Sequence, residues 1–359
     1  MLVWCTGVSG SERTEFLREA AEYINEDPND RRRAEVFDVG QMLNAVPAHL
    51  RYSDNHTDLL DGNEDLLHLH RVSALSELKD QILNSTADIK LISTHAAFMR
   101  AGRLVSGMDM NLFKQLFADD VNLFITVTHD ANIIWSNLQA RKEWQDQLEL
   151  TDIVMWRTYE TSITRILAEF LGVRFVELAR RSNPSGIQGL TRTRPAPSIY
   201  LSYPITSILE EDPDLLERAA DFGDQLMKAG FVVYDPLSIQ DLNSPQTGEF
   251  HLTDEDPPLE QALSANRYIE SQILSRDLQW VDQADMVVVY YPTELVSPGV
   301  FAEMSHARDV RRPVYLCEFP GRVSPFLGMF HQAAFDSIQE TVSGLTKLYK
   351  EQLQASKNT

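Results

Sequence analysis

The sequence predicts an α/β protein built from two parallel-sheet, three-layer domains in series, and three observations carry that expectation. Short β-rich runs alternate with longer helical stretches along the whole chain, the pattern that places helices on both faces of a parallel sheet. The alternation stops near the middle, at a stretch rich in Pro, Gly, Ser and Arg, and then restarts. The length of 359 residues exceeds one ordinary core and suits two.

In the first half the strand candidates are Leu2–Thr6, Glu35–Val39, Ile89–Ser93, Asn122–Thr128 and Arg174–Leu178. Residues 181–198, within RRSNPSGIQGLTRTRPAPS, lack apolar periodicity and read as a linker between a domain over 1–180 and a second over 199–359. Beyond it come a strand at Ile199–Ser202, a helix around Pro213–Ala229, a strand at Phe231–Tyr234 and a helix ending near Gln283. A strand at Met286–Tyr291, a helix from Gly299 and a strand at Pro313–Cys317 complete the series. The polar, proline-containing stretch Asp241–Pro258 reads as a long loop over the strand ends, where such sheets bind ligands, or equally as a solvated insertion.

Composition excludes several function classes. Hydrophobic residues make up 43% of the chain, with no biased tract, so both halves are expected to fold. With 53 acidic residues against 32 basic ones the formal charge is −21, which repels a nucleic-acid backbone but leaves a small anionic ligand possible through local donors. Cys5 and Cys317 have no metal-ligand spacing and are expected as buried, reduced thiols. The start MLVWCTGVSG lacks the basic and long apolar regions of a signal peptide, and no run approaches a membrane span. The expectation is a cytoplasmic protein with no membrane and no nucleic-acid partner.

Gly7–Thr14, GVSGSERT, lies between the first strand and a helix, where backbone N–H groups can wrap phosphate. The active pattern ends in Gly-Lys-Ser/Thr, and this chain has Glu12 and Arg13 in those first two places. An acidic side chain beside phosphate is unfavourable, and Arg does not replace Lys in shape. With VFDVGQML, STHAAFMRAGRLVSGM, VNLFITVTHDANIIWSNLQAR and DIVMWRTYE, this half resembles archaeal adenylate kinase and related P-loop nucleoside monophosphate kinases. The resemblance implies nucleotide-binding residues Gly7, Gly10, Ser11, Arg13 and Thr14, phosphate-contacting arginines at Arg141 and Arg157, and possible ATP or another nucleotide as ligand. Ser93 stands where the family has a carboxylate that helps hold Mg²⁺. Glu12, Arg13 and Ser93 thus fall on the phosphoryl-transfer machinery, and the expectation is a kinase-like domain without kinase activity.

In the second half the informative block is SRDLQWVDQADMVVVYYPTELVSPGVFAE, Ser275–Glu303. An amphipathic helix with Leu278, Trp280 and Val281 on its apolar side feeds a buried strand. Gly299 then opens the next helix, whose N–H groups and positive dipole end face the sheet edge. Glu303 follows one turn later; an isolated Glu would read simply as helix decoration, but the constellation argues for more. A carboxylate on the face opposite a nucleobase can capture the oxocarbenium-like sugar formed as an N-glycosidic bond breaks.

With Tyr200 in IYLSYPI, Arg276-Asp277-Leu278-Gln279-Trp280, Gln283-Ala284-Asp285 and Ser297-Pro298-Gly299, this block resembles the nucleoside 2-deoxyribosyltransferase superfamily. Within it the likeness is strongest to the 2′-deoxynucleoside 5′-phosphate N-hydrolase branch. The resemblance implies a Rossmann-like second domain, Glu303 as nucleophile, Asp277 on the sugar or assisting proton transfer to the base, and Tyr200 positioning the carboxylate. It implies substrate contacts at Ser297, Gly299 and Tyr203, a homo-oligomer with donors such as Ser324 or His331 in trans, and no cofactor for the cleavage. Ser297 favours a 5′-phosphorylated substrate, whereas Tyr203-Pro204-Ile205-Thr206 replaces the branch's phosphate loop and argues against one. Asp285 reads as a helix-end or strand support, and His306 as a packing or surface histidine rather than a proton shuttle.

The leading expectation is therefore hydrolysis of a nucleoside 5′-monophosphate or related nucleotide at its N-glycosidic bond. Transfer to a second base and NAD hydrolysis are the near alternatives. A nucleotide-sensing regulatory module and a bifunctional nucleotide kinase are the alternatives of another class.

Overall fold

The computed structural model describes residues 1–44, 64–100, 102–205, 214–241, 256–319 and 329–355. The chain divides into two compact units, one of residues 1–184 with 239–272 and one of residues 185–238 with 273–359. The sequence gives no sign that 239–272 joins the first unit, because what holds that segment is side-chain pairing across long sequence separations. Asp241, for example, is bonded to Arg157, 84 residues away.

In the first unit five parallel strands are ordered β2 (Ala34–Asp38), β3 (Ile89–Ser93), β1 (Leu2–Thr6), β6 (Val121–Thr128) and β7 (Arg174–Ala179). All five residues of β1 are buried, as a strand covered on both faces requires. Trp4 packs edge-on against Phe113 at 4.7 Å between ring centroids and beside Phe117 at 5.1 Å. A hairpin of β4 (Ala97–Arg100) and β5 (Arg103–Ser106) turns at Gly102, whose φ of +70° suits glycine. The sequence reading had no strands there.

In the second unit the order is β12 (Ala333–Phe335), β11 (Val314–Cys317), β10 (Met286–Tyr290), β8 (Ser198–Ser202) and β9 (Val232–Tyr234), again all parallel. The observed α/β architecture with two parallel sheets is the predicted class. The helix Asp214–Lys228 buries Ala219, Phe222, Gly223 and Leu226, one stripe at helical spacing, against a core containing Leu201, Val288 and Tyr290. The stretch read as a linker contains a short helix, Ser185–Leu190, because Ile187 and Leu190 are buried and Gly189 comes close to Val232.

Both sheets grow outward in two directions from their first strand, β1 and β8. The crevice at the carboxyl end of that strand is where open α/β sheets bind ligands. Among the described residues no helix is long and apolar enough to cross a membrane. Cys5 and Cys317 are both buried and free.

Candidate active site

The site of the second unit is assembled at the end of β8. Tyr200 and Ser202 alternate by two along the strand and therefore share a face. The Tyr200 hydroxyl donates to Glu303 Oε1 at 2.8 Å, and the Ser202 hydroxyl donates to Glu303 Oε2. Glu303 reaches them from the helix Pro298–Asp309, which starts one residue before the expected Gly299 because Pro suits the first helical position. Each carboxylate oxygen thus has one hydroxyl donor and retains acceptor capacity. Tyr200 was expected to position the carboxylate, and the two are bonded; Ser202 was not foreseen, although its i, i+2 relation to Tyr200 was a sufficient signal.

Burial disfavours the charged form of Glu303, and the nearby Asp277 adds to this; together they push its pKa up to about 7 against the pull of the Ser202 and Tyr200 hydrogen bonds. Asp277 is itself raised by burial, partly offset by Arg276. Arg276 donates to Asp277 Oδ1 through Nε at 3.0 Å and Nη2 at 2.9 Å, and its guanidinium lies 4.9 Å from the Trp280 ring centre. Both donors use the same oxygen, and no described residue is bonded to Oδ2 of Asp277. The Tyr200 phenol is raised well above its ordinary value, chiefly by burial and then by Asp277 and Glu303, so it stays protonated as a donor.

A third carboxyl belongs to this field. Asp235 follows β9 and accepts from the Tyr203 hydroxyl at 2.6 Å and from the Leu237 N–H at 2.9 Å, both on Oδ1. Burial raises its pKa, and its charge in turn opposes ionisation of Asp277. Sequence reasoning named Tyr203 as a substrate contact and missed Asp235, whose role depends on the neighbouring strand.

The other expected residues lie as follows. Ser297 caps the helix of Glu303, its hydroxyl accepting from the Val300 N–H at 3.4 Å while its own N–H donates to the Tyr291 hydroxyl at 2.9 Å. Gly299 is exposed, and a Cβ there would meet only Ser297 Oγ, at 4.0 Å. His306 pairs with Asp282 at 2.7 Å, as a surface histidine would. Asp285 accepts from the N–H and hydroxyl of Ser198, fastening the start of β8. Ser324 and most of the Asp241–Pro258 stretch lie outside the described residues.

In the first unit the Gly7–Thr14 loop borders a cavity of about 520 Å³, lined by Gly10, Ser11, Arg13 and Thr14 together with His95 and Arg141. Gly7 does not line it; its N–H donates to the buried Glu160 at 2.9 Å. Glu12 adopts φ +54°, the left-handed conformation that the glycine of the active pattern would take without strain. Arg13 does not point outward as the lysine of that pattern does: its guanidinium donates to the Gly7 carbonyl at 2.6 Å and to Ser93 Oγ at 2.8 Å. Ser11 Oγ is buried without a hydrogen-bond partner. Burial, with Arg13 second, lowers His95 well below its ordinary value, so the ring is neutral. Arg141 lines the cavity and donates to Ser9 Oγ at 3.1 Å. Arg157 does not line it; its guanidinium makes a bidentate pair with Asp241, 2.7 Å at each contact, and donates to the His129 carbonyl. The phosphate-contacting role expected for Arg157 is therefore corrected: it is a buried structural cation.

No protein-family model matches the chain, and no curated protein matches it. Among solved structures a similar chain is a 2-deoxyribosyltransferase from the psychrotolerant bacterium Bacillus psychrosaccharolyticus. It is 16% identical over 40% of this chain and 90% of that one, with a TM-score of 0.30. A likeness of that size carries no argument about activity.

Proposed function

We propose that the second unit cleaves the N-glycosidic bond of a nucleoside or nucleotide, with Glu303 as nucleophile. The observation that carries this is a half-buried carboxylate at the sheet's switch point, held by two hydroxyl donors and near a second carboxyl, Asp277, whose Oδ2 is bonded to no described residue. Glu303 attacks the anomeric carbon from the face opposite the base. The carbon–nitrogen bond breaks, and its electron pair leaves with the base. The departing nitrogen takes up a proton from solvent, and Asp277 assists that transfer or contacts the sugar. Water then attacks the glycosyl ester, returning the sugar and the free carboxylate. Tyr200 and Ser202 hold Glu303 in line and share its negative charge before attack. A carboxylate whose pKa burial has raised to about 7 is a more basic, stronger nucleophile than an ordinary one.

The test is chromatography of free bases released from nucleosides, nucleoside monophosphates and NAD, with Glu303→Ala as control. Release by the wild type and none by the variant supports the proposal; release by both refutes Glu303 as nucleophile. Adding a second base separates hydrolysis from transfer, because transfer yields a new nucleoside in place of free sugar.

The cavity beside Gly7–Thr14 favours a second reading for the first unit: a nucleotide site that holds an anion without transferring phosphate. The cation in the lysine's place is tied to Gly7 and Ser93 inside the loop, so it is not free to follow a moving phosphoryl group. Calorimetry with ATP, paired with an assay of ATP consumption, tests this; binding without turnover is expected, and Mg²⁺-dependent turnover refutes it.

A further inference from the structure

The helix Leu150–Leu171 of the first unit buries Ile153, Trp156, Ile163 and Leu167 against the sheet. On its opposite side Met155, Tyr159, Ile166 and Phe170 are exposed, by 47%, 38%, 58% and 64%. At 3.6 residues per turn these four fall within about 60° of arc, so they form one straight apolar stripe. Single apolar residues scattered over a surface are ordinary, whereas four aligned on one helix face mark a contact surface. The stripe is also symmetric about its own middle. The midpoint of 155 and 170 is 162.5, and so is that of 159 and 166. Beside that point the exposed residue is Ser162, small enough to let a second helix approach closely. The charges at the two ends are opposite. The helix starts with exposed Glu149 and half-buried Asp152, whereas at its far end Lys114 Nζ lies 5.5 Å from the Phe170 ring centre and exposed Arg174 follows. Glu169 offsets only one of those two cations.

We propose that this face pairs with the same face of a second copy of the chain, the two helices running antiparallel about a two-fold axis beside Ser162. In a two-fold interface residue i meets residue j wherever j meets i. Met155 of each copy then packs on Phe170 of the other, and Tyr159 on Ile166. The acidic start of each helix comes against Lys114 and Arg174 at the end of the other, so charge selects the same arrangement that the apolar stripe selects. Parallel pairing would set each charged end against its own kind, which disfavours association. A stripe without the internal symmetry would suit an unrelated partner; this one complements itself. Pairing through one helix face makes a small interface, for which a Kd on the order of 10 µM is expected.

The experiment is sedimentation equilibrium of the full chain from about 1 to about 100 µM, a range that spans this Kd. The wild type is expected to pass from monomer to dimer. Ile166→Glu, at a site more than half exposed, should leave the fold intact by circular dichroism and weaken the dimer at least about 100-fold, because each copy would bury an acid against the other's stripe. Register is read by cysteine pairing, since Cys5 and Cys317 are both buried. Ser162→Cys brings two thiols together at the axis and should give a covalent dimer on mild oxidation, whereas Glu169→Cys leaves them roughly 20 Å apart and should not. A wild type that stays monomeric throughout overturns the proposal and leaves the stripe to a different partner. A dimer unaffected by Ile166→Glu places the interface elsewhere and overturns it as well. Cross-linking through Glu169→Cys but not through Ser162→Cys overturns the antiparallel two-fold arrangement.

Discussion

Glu303 should make the second unit less stable as pH rises, and Glu303→Gln should remove that dependence. In the folded chain the carboxyl has a pKa of about 7, against an ordinary value of 4.5. Below about pH 4.5 it is protonated in both folded and unfolded states and contributes nothing to the pH dependence. Between the two values the folded state holds the proton and the unfolded state has lost it, so stability falls with rising pH. Above about pH 7 both are ionised and the whole penalty is present. The shift of 2.5 units, 7 minus 4.5, corresponds to about 3 kcal/mol in full, of which about 2 kcal/mol should appear between about pH 5 and about pH 8. Gln is nearly isosteric and can still accept from the Tyr200 hydroxyl, so its main effect is to delete the charge.

The assay is urea denaturation of wild type and Glu303→Gln at the two pH values, followed through Trp280, the one tryptophan of the second unit. The variant is expected to gain about 2 kcal/mol more over wild type at the higher pH than at the lower, while losing base release altogether. A stability difference equal at both pH values would mean that Glu303 ionises like an exposed carboxyl. The account of its environment would then be wrong.

Three further outcomes follow from named contacts. Activity should need ionised Glu303, giving a pH profile with an acid limb near pH 7. Tyr200→Phe should move that limb upward by about one unit, because a donor to the carboxylate is lost. Asp277→Asn should move it downward in whatever activity remains, because a like charge is lost; limbs that move in the same direction would contradict the assignment. Asp241→Ala should destabilise the first unit by about 3–5 kcal/mol in urea denaturation, leaving Arg157 buried and unpaired, whereas the double change Arg157→Met with Asp241→Leu should be far milder. Gly7→Ala would bring a Cβ to 2.7 Å from the Val127 carbonyl and 2.9 Å from Ser11 Oγ, and should lower the thermal midpoint by the equivalent of about 1–3 kcal/mol.

How legible the molecule was depended on whether a feature is local. The buried runs LVWCT, SIYLS and MVVVY declare strands covered on both faces, and their bounds fell within a residue or so of expectation. The pair Tyr200 and Glu303 was implied by the family resemblance of their motifs, and the two are bonded. By contrast, Asp235 acts through Tyr203 on an adjacent strand, and Asp241 through Arg157 in a distant helix; neither partnership leaves a periodicity to read. The hairpin at Ala97–Ser106 escaped because its strands are only four residues each and its turn rests on Gly102 alone. Arg157 shows the opposite error, a residue of the right type in a helix of the expected kind whose guanidinium is claimed by a carboxylate from another part of the chain.

A raised carboxyl pKa does not by itself mark a site, and this chain carries the comparison internally. Glu160 in the first unit is also pushed up to about 7 by burial, yet both its oxygens are taken by backbone donors: the N–H groups of Gly7, Ala96 and Ala97. Those donors fasten the loop after β1 and the β3–β4 turn to one another, and they cannot exchange with a ligand without unmaking the fold. Glu303 has the same acidity but is held by side-chain hydroxyls, near Asp277, whose Oδ2 is bonded to no described residue. Arg13 and Arg157 repeat the first pattern, each cation being consumed by internal acceptors. Glu160, Arg13 and Arg157 of the first unit are thus each satisfied by internal partners, while Glu303 and Asp277 of the second oppose one another's charge. Unrelieved conflict of that kind is expected where chemistry is done, and it is why the nucleophile is assigned to Glu303 and not to the equally perturbed Glu160.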